Sequence, residues 1–215
     1  MKDNTVVFVT RVGSCEAKAA ARNLIHSLRT FGGEVGKAMV WVFEVDPEKT
    51  ACKELAGKGV QIFSLNLPED VGKYPFGDMV AACAQAEAMG ADEVGSLAWI
   101  DEGCVVVQPP ILLNLGESWD AAVRPVHIRN VGMRKTDAID SFWRGIYQAV
   151  GVEDLEQSVE SFVDQEVIRP YFNSHCFAIN PKLRLMQRWF ELFRRLVMDT
   201  AFQTTACQDD LHQIF

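Results

Sequence analysis

The sequence predicts an α/β fold, a mostly parallel sheet with helices on both faces followed by an irregular second half. Three observations carry this expectation. Short apolar runs rich in β-branched residues recur through the first half: TVVFVT at 5–10, AMVWVFEV at 38–45, a run at 60–65 and SLAWI at 96–100. Stretches with helical spacing of apolar positions lie between them. Glycine, proline and aspartate punctuate the junctions. Strands that are apolar throughout, and that alternate with helices, belong to parallel sheets covered on both sides.

The elements follow in order. Thr5 to Thr10 is the first strand, and Arg11 to Ser14 turns the chain. From Glu16 to Phe31, Ala17, Ala20, Ala21, Leu24, Leu28 and Phe31 mark a helix stopped by Gly32-Gly33. Ala38 to Val45 is the second strand, ending in Asp46-Pro47. Glu48 to Ala56 reads as a short helix, and Val60 to Leu65 as the third strand. A loop, LNLPEDVGKYPFG, leads to Asp78, which is expected to cap a helix over Met79 to Met89 closed by Gly90. Ser96 to Ile100 is the fourth strand, terminated by Asp101-Glu102-Gly103, and Cys104 to Gln108 is expected to be extended again before Pro109-Pro110.

The second half is less regular. Trp119 to Pro125 reads as a strand, His127 to Asp140 as a loop and Ser141 to Val150 as a helix, while 151–169 shows no clear pattern. Tyr171 to Ile179 is a strand or strand pair. Asn180-Pro181 should open a helix running to about Met198, with Met186, Trp189, Phe190 and Phe193 on its apolar face. Arg184, Arg188, Arg194 and Arg195 then read as a solvated face. Asp209 to Phe215 looks like the first turns of a further helix, so the chain is expected to end inside an element. Trp99, Trp143 and Trp189 sit at core spacing.

Bulk properties narrow the function. Apolar residues make up 48% and charged residues 23%, as in a soluble globular protein. The net charge of −8 argues against nucleic acid held through the whole surface, so phosphates would need a local cation or helix start. Neither a secretory leader nor a run of about 20 apolar residues is present, so a cytoplasmic protein without a membrane span is expected. The six cysteines are scattered with no C-x-x-C pair, which reads as reduced, buried thiols rather than a zinc site. A P-loop, a G-x-G-x-x-G after the first strand and a G-x-S-x-G elbow are all missing, against P-loop, dehydrogenase and hydrolase readings.

In an open α/β sheet the ligand sits outside the carboxyl ends of the strands. Thr10-Arg11, Asp46 and Asp101-Glu102 fall there. A carboxylate that closes an apolar strand either holds a divalent cation or simply solvates the strand end, and position alone leaves both readings open. Arg11 and Arg124 are the cations nearest to strand ends. His26 lies within a helix and reads as structural, and His127 lies in a loop.

The segment SLAWIDEGCVVVQPP resembles the centre of GT-A-type glycosyltransferases, nucleotide-diphospho-sugar transferases in which an apolar strand ends in an Asp-x-Asp motif. YFNSHCFAINPKLRLMQRW resembles that family's strand leading to Asn-Pro and a helix, and QDDLHQIF resembles a later helix start. The resemblance implies a single GT-A-like (Rossmann-like) domain, with a nucleotide-binding half at 1–108 and a sugar and acceptor half at 109–215. It implies a UDP- or GDP-sugar donor, an unidentified acceptor and a divalent metal, manganese or magnesium. Asp101 would contact ribose and metal, with His212 as a further ligand. Thr10, Arg11, Asp46, Gly103, Ser174 and His175 would line the donor site. Asn173, Asp209 and Asp210 would stand with Asp101 as catalytic groups. The motif departs from the family pattern at Gly103, where a metal-binding Asp is usual, and at His175, where Gly is common. A binding protein that has lost catalysis, or a nucleotidyltransferase, are the alternatives.

Overall fold

The computed structural model describes residues 5–129, 132–152, 156–200 and 202. In chain order the strands and helices are β1 (Val6–Val12), α1 (Cys15–Phe31), β2 (Met39–Glu44), α2 (Pro47–Thr50), β3 (Val60–Ser64), α3 (Glu69–Gly72), α4 (Gly77–Gly90), β4 (Ser96–Ile100), β5 (Ala121–Pro125), α5 (Ser141–Val150), β6 (Val159–Glu160), β7 (Val167–Ile168), β8 (Phe172–Ile179) and α6 (Leu185–Met198). Six strands form one sheet in the order β3-β2-β1-β4-β8-β5, and β6 pairs with β7 separately. The first four strands run parallel. β8 is antiparallel to β4, with Leu97 opposite Ile179 and Ile100 opposite Cys176, and β5 is antiparallel to β8. The start of β8 therefore lies at the same rim as the end of β4.

Alternation along the strands divides the core into two layers. Val7, Val9, Phe43, Leu97 and Trp99 pack beneath α4 and α6, against Met79, Phe193 and Val197. Phe8, Val40, Val42, Ala98 and Ile100 face α1 through Ala21, Leu24 and Leu28. Trp99 and Trp143 are buried and Trp189 is partly so, as their spacing predicts. No helix among the described residues is long and apolar enough to cross a membrane.

Four expectations are corrected. The helix expected over Glu48 to Ala56 breaks at Ala51, where φ is 36°, into α2 and a 3-10 turn at Cys52–Leu55. The buried Glu44 carboxylate takes the Cys52 N–H there, a tertiary bond that overrides local helix preference. Asp78 does not precede its helix: α4 starts at Gly77, after Phe76 at φ 61°, and Asp78 stands inside the first turn. A Cβ on Gly77 would lie 2.3 Å from the Val71 carbonyl oxygen, so the backbone approach itself requires glycine. Cys104 to Gln108 pairs with no strand; the Val106 N–H instead donates to Ser27 Oγ at 3.0 Å. Asn180 caps only a 3-10 turn, Pro181–Leu183, and α6 begins afresh at Leu185 after Arg184 at φ 56°.

That restart is explained by Glu87. Its side chain is fully buried in α4, yet it accepts the N–H groups of Met186 at 3.1 Å and Gln187 at 2.8 Å. These are orphan donors of the first turn of α6. A carboxylate at a helix N-terminus also meets the positive end of the helix dipole. Glu87 thus caps α6 from another helix and fixes how α6 sits on the sheet.

Candidate functional site

β1 and β4 are adjacent, and two-residue periodicity carries Arg11 and Asp101 to the face that bears Val9 and Trp99. At the carboxyl rim Arg11 meets two carboxylates. Its Nη1 donates to both Glu102 oxygens, at 2.9 and 3.0 Å, and its Nε lies 3.1 Å from Asp78 Oδ1. The Asp78 contact is an ion pair without an aligned hydrogen bond, since the Nε hydrogen has no acceptor. Burial pulls the Arg11 guanidinium down, but Asp78, Glu102 and Asp101 outweigh it and leave the group above its ordinary value. Burial raises the Glu102 carboxyl, with Arg11 opposing and Asp101 adding to the rise.

Asp101 sits in a tight turn. Its N–H donates to the His175 carbonyl at 2.8 Å, and its carbonyl accepts the Cys104 N–H at 2.9 Å. Its Oδ1 accepts the Gly103 N–H at 3.0 Å, which leaves Oδ2 without a protein partner among the described residues. On β8, Asn173 Oδ1 accepts the His175 N–H at 2.8 Å, and Asn173 stands opposite Arg124 of β5. Arg124 also lies over the Phe162 ring, 5.4 Å from its centroid. Arg11, Asp101, Gly103, Asn173, Ser174 and His175 are therefore neighbours at one rim. Burial raises the Cys176 thiol to about 11 and also raises Cys104, so neither neighbouring sulfur is a thiolate nucleophile near neutral pH.

Other expected residues lie elsewhere. Thr10 is in the interior, 1% exposed, with its hydroxyl buried and unpartnered on the α1 side of the sheet. Asp46 is at the end of β2 but caps α2, accepting the Lys49 N–H at 3.3 Å and pairing with Lys49 Nζ at 2.8 Å. The Lys49 bond holds the Asp46 carboxyl below its ordinary value. Asp209, Asp210 and His212 lie outside the described residues. Sequence reasoning had not assigned Asp78 to this cluster; its only signal was its position two residues into a helix start facing the first strand.

The charges and donors at the rim decide what it can bind. Asp78, Asp101 and Glu102 set three negative charges against the single positive charge of Arg11, a local net of −2. No group of three His, Cys, Asp or Glu side chains converges on one point among the described residues. Glu102 is held by Arg11, and Gly103 supplies no carboxylate. A manganese or magnesium ion takes about six ligands, and the rim carboxylates of the described residues that Glu102 and Gly103 leave over are Asp101 and Asp78, the latter paired with Arg11. They do not fit the ion that the resemblance implies.

Depressions border the helices and the sheet of the second half. One, of about 650 Å³, lies between α5 and α6 beside Arg144, Arg195 and Asp199, away from the strand ends. A second, of about 370 Å³, begins at Asn173 and Ser174 and runs between β5, β8 and α6. The strand-end rim and the second depression form the candidate site, because ligands of open α/β sheets bind beyond the strand carboxyl ends.

The backbone is similar to solved glycosyltransferases. An active-site variant of LgtC shares 16% identity at a TM-score of 0.56, over 97% of this chain and 70% of that one. The bifunctional glycosyltransferase WbbM gives a TM-score of 0.53 at 16% identity, over 99% of this chain and 38% of that one. Core-mannan synthase A of Aspergillus fumigatus, in its Mn/GDP form, gives 0.52 at 9% identity, over 98% and 68%. At such identities the likeness carries the fold alone. No curated protein sequence matches the chain. Residues 6–214 match the Rhodobacterales glycosyltransferase domain, almost the whole length, and the chain belongs to that family.

Proposed function

We propose that the protein transfers a sugar from a nucleotide-diphospho-sugar to an acceptor hydroxyl, at the rim formed by Asp101, Arg11 and the start of β8. The observation that carries this is the free Asp101 Oδ2 at the end of β4, beside Asn173 to His175, in a chain of a glycosyltransferase family. In this reading β1 to β4 form the nucleotide half and the chain from residue 109 onward forms the sugar and acceptor half. Asp101 accepts a hydroxyl of the donor, a charge-assisted bond. The acceptor oxygen bonds to the anomeric carbon while the sugar–phosphate bond breaks through an oxocarbenium-like state, as in glycoside cleavage. The nucleoside diphosphate departs with the bonding electron pair, and the acceptor proton goes to a base. Arg11 is the half-buried cation of this rim and would meet the departing charge.

A second reading, a binding protein without transferase activity, draws support from Gly103 and from the engagement of Arg11 by two carboxylates. Incubation with UDP- and GDP-sugars, with and without manganese, separates the two. Release of free nucleoside diphosphate that is lost in Asp101→Ala supports the transferase. Binding of sugar nucleotide without any release supports the second reading, and release of pyrophosphate from a nucleoside triphosphate would point to a nucleotidyltransferase.

A further inference from the structure

We infer that the groove between β5, β8 and α6 is the acceptor subsite, and that it takes an acceptor whose hydroxyl is carried on an apolar body, alkyl or aryl. This rests on the glycosyltransferase reading and adds to it the chemistry of the second substrate.

Position comes first. Asn173 and Ser174 belong both to the wall of the groove and to the rim where the Asp101 N–H meets the His175 carbonyl. The groove starts where transfer would occur and leads away from it. An acceptor that places its hydroxyl beside Asn173 therefore lays the rest of its body along Phe172, Phe177, Met186 and Trp189.

Polarity comes second. Asn173, Ser174, the phenol of Tyr171 and the indole N–H of Trp189 are the polar groups of the wall, and no charged residue lines it. Asn173 spends its oxygen on the His175 N–H, so its amide N–H groups remain to donate at the rim end. A further sugar ring would bring several hydroxyls into the groove, and a buried hydroxyl without a partner is costly. An alkyl or aryl body needs no such partners and gains by leaving water.

Order and size complete the case. Trp189 meets Phe177 edge-on, with centroids 6.2 Å apart, and the first turn of α6 is held by Glu87. The wall is thus set by packing before any ligand arrives. Its volume of about 370 Å³ is that of a small-molecule site.

The test is a calorimetric titration of the whole protein with ethanol, n-butanol, n-hexanol and n-octanol, each below its solubility limit. UDP and GDP are titrated in parallel. Affinity should rise about two- to fourfold per methylene along the series. Val123→Asp places a charge in the groove wall at a half-exposed position outside the core, and should abolish that dependence without lowering the melting temperature. Phe172→Ser, also at the surface, should weaken the dependence. Affinity independent of chain length, tighter binding of maltose than of n-octanol, or an unchanged dependence in Val123→Asp would each overturn the inference. Nucleotide binding without chain-length dependence removes the apolar acceptor and leaves the transferase reading standing. Chain-length dependence with neither nucleotide binding nor donor turnover overturns the acceptor role together with that reading.

Discussion

Glu87→Ala should be among the most destabilising single substitutions in this chain. The Glu87 carboxylate is out of contact with water and accepts two backbone N–H groups of α6, from Met186 at 3.1 Å and Gln187 at 2.8 Å, plus the Gln187 side-chain amide at 3.3 Å. A hydrogen bond to a charged group contributes about 1.5–3 kcal/mol. Loss of the two backbone bonds would cost about 3–6 kcal/mol if they were independent. They share one carboxylate, and Ala is the better helix former at this position, so the lower end, about 3 kcal/mol, is the expected loss. For a chain of this size that lowers the melting temperature by about 6–12 °C. Glu87→Gln keeps one acceptor and nearly the same volume and should lose about half as much. Urea unfolding followed by far-UV circular dichroism reads both. A loss below about 1 kcal/mol in Glu87→Ala would refute the cap as the feature that seats α6.

Other substitutions probe the rim directly. In Gly103→Asp the new Cβ lies 3.2 Å from Asp101 Oδ1, which puts a second carboxylate beside the first. The variant should be less stable than wild type by about 1–2 kcal/mol at low salt, through like-charge repulsion. Manganese should then raise its melting temperature, by an amount equivalent to about 2.7 kcal/mol at a hundredfold excess over Kd, and by more than it raises that of wild type. An equal manganese response in both proteins would show that Gly103 is not the missing ligand position. Glu102 makes a prediction in pH. Its carboxyl is raised in the folded protein, so its stabilising contribution is complete below the ordinary glutamate value of about 4.3 and is lost as pH rises through the raised value. The stability difference between wild type and Glu102→Gln should therefore shift against wild type as pH rises from about 4 into that window. A flat difference across this range would contradict the burial assigned to Glu102.

The first half of the fold was legible because its signals are local. The runs at Val6–Val12, Met39–Glu44 and Ser96–Ile100 are apolar at nearly every position, as strands covered on both faces must be, and the helix at Cys15–Phe31 shows its period and its glycine stop. Asp101 was legible for the same reason, as the first charge after a buried strand. The misses depend on bonds between one element and another, which a local pattern does not show. The break at Ala51 follows a bond between Glu44 and Cys52, and the late start of α6 follows a carboxylate about a hundred residues earlier. Asp78 read as a local cap, yet its charge faces Arg11 on β1. Thr10 was expected at the site because it ends the first apolar run; strand alternation turns it inward, one residue from Arg11, which is the residue that reaches the rim.

Asp101 is the hinge of the functional reading, and calorimetric titration of UDP and GDP into wild type and Asp101→Asn tests it most directly. Asparagine keeps an oxygen for the Gly103 N–H, so the turn should persist and the melting temperature should hold. Wild type should bind one of the two nucleotides, and Asp101→Asn should bind it about tenfold or more weakly, as loss of a charged hydrogen bond requires. Equal affinity in the two proteins would place the nucleotide elsewhere and remove Asp101 from the site.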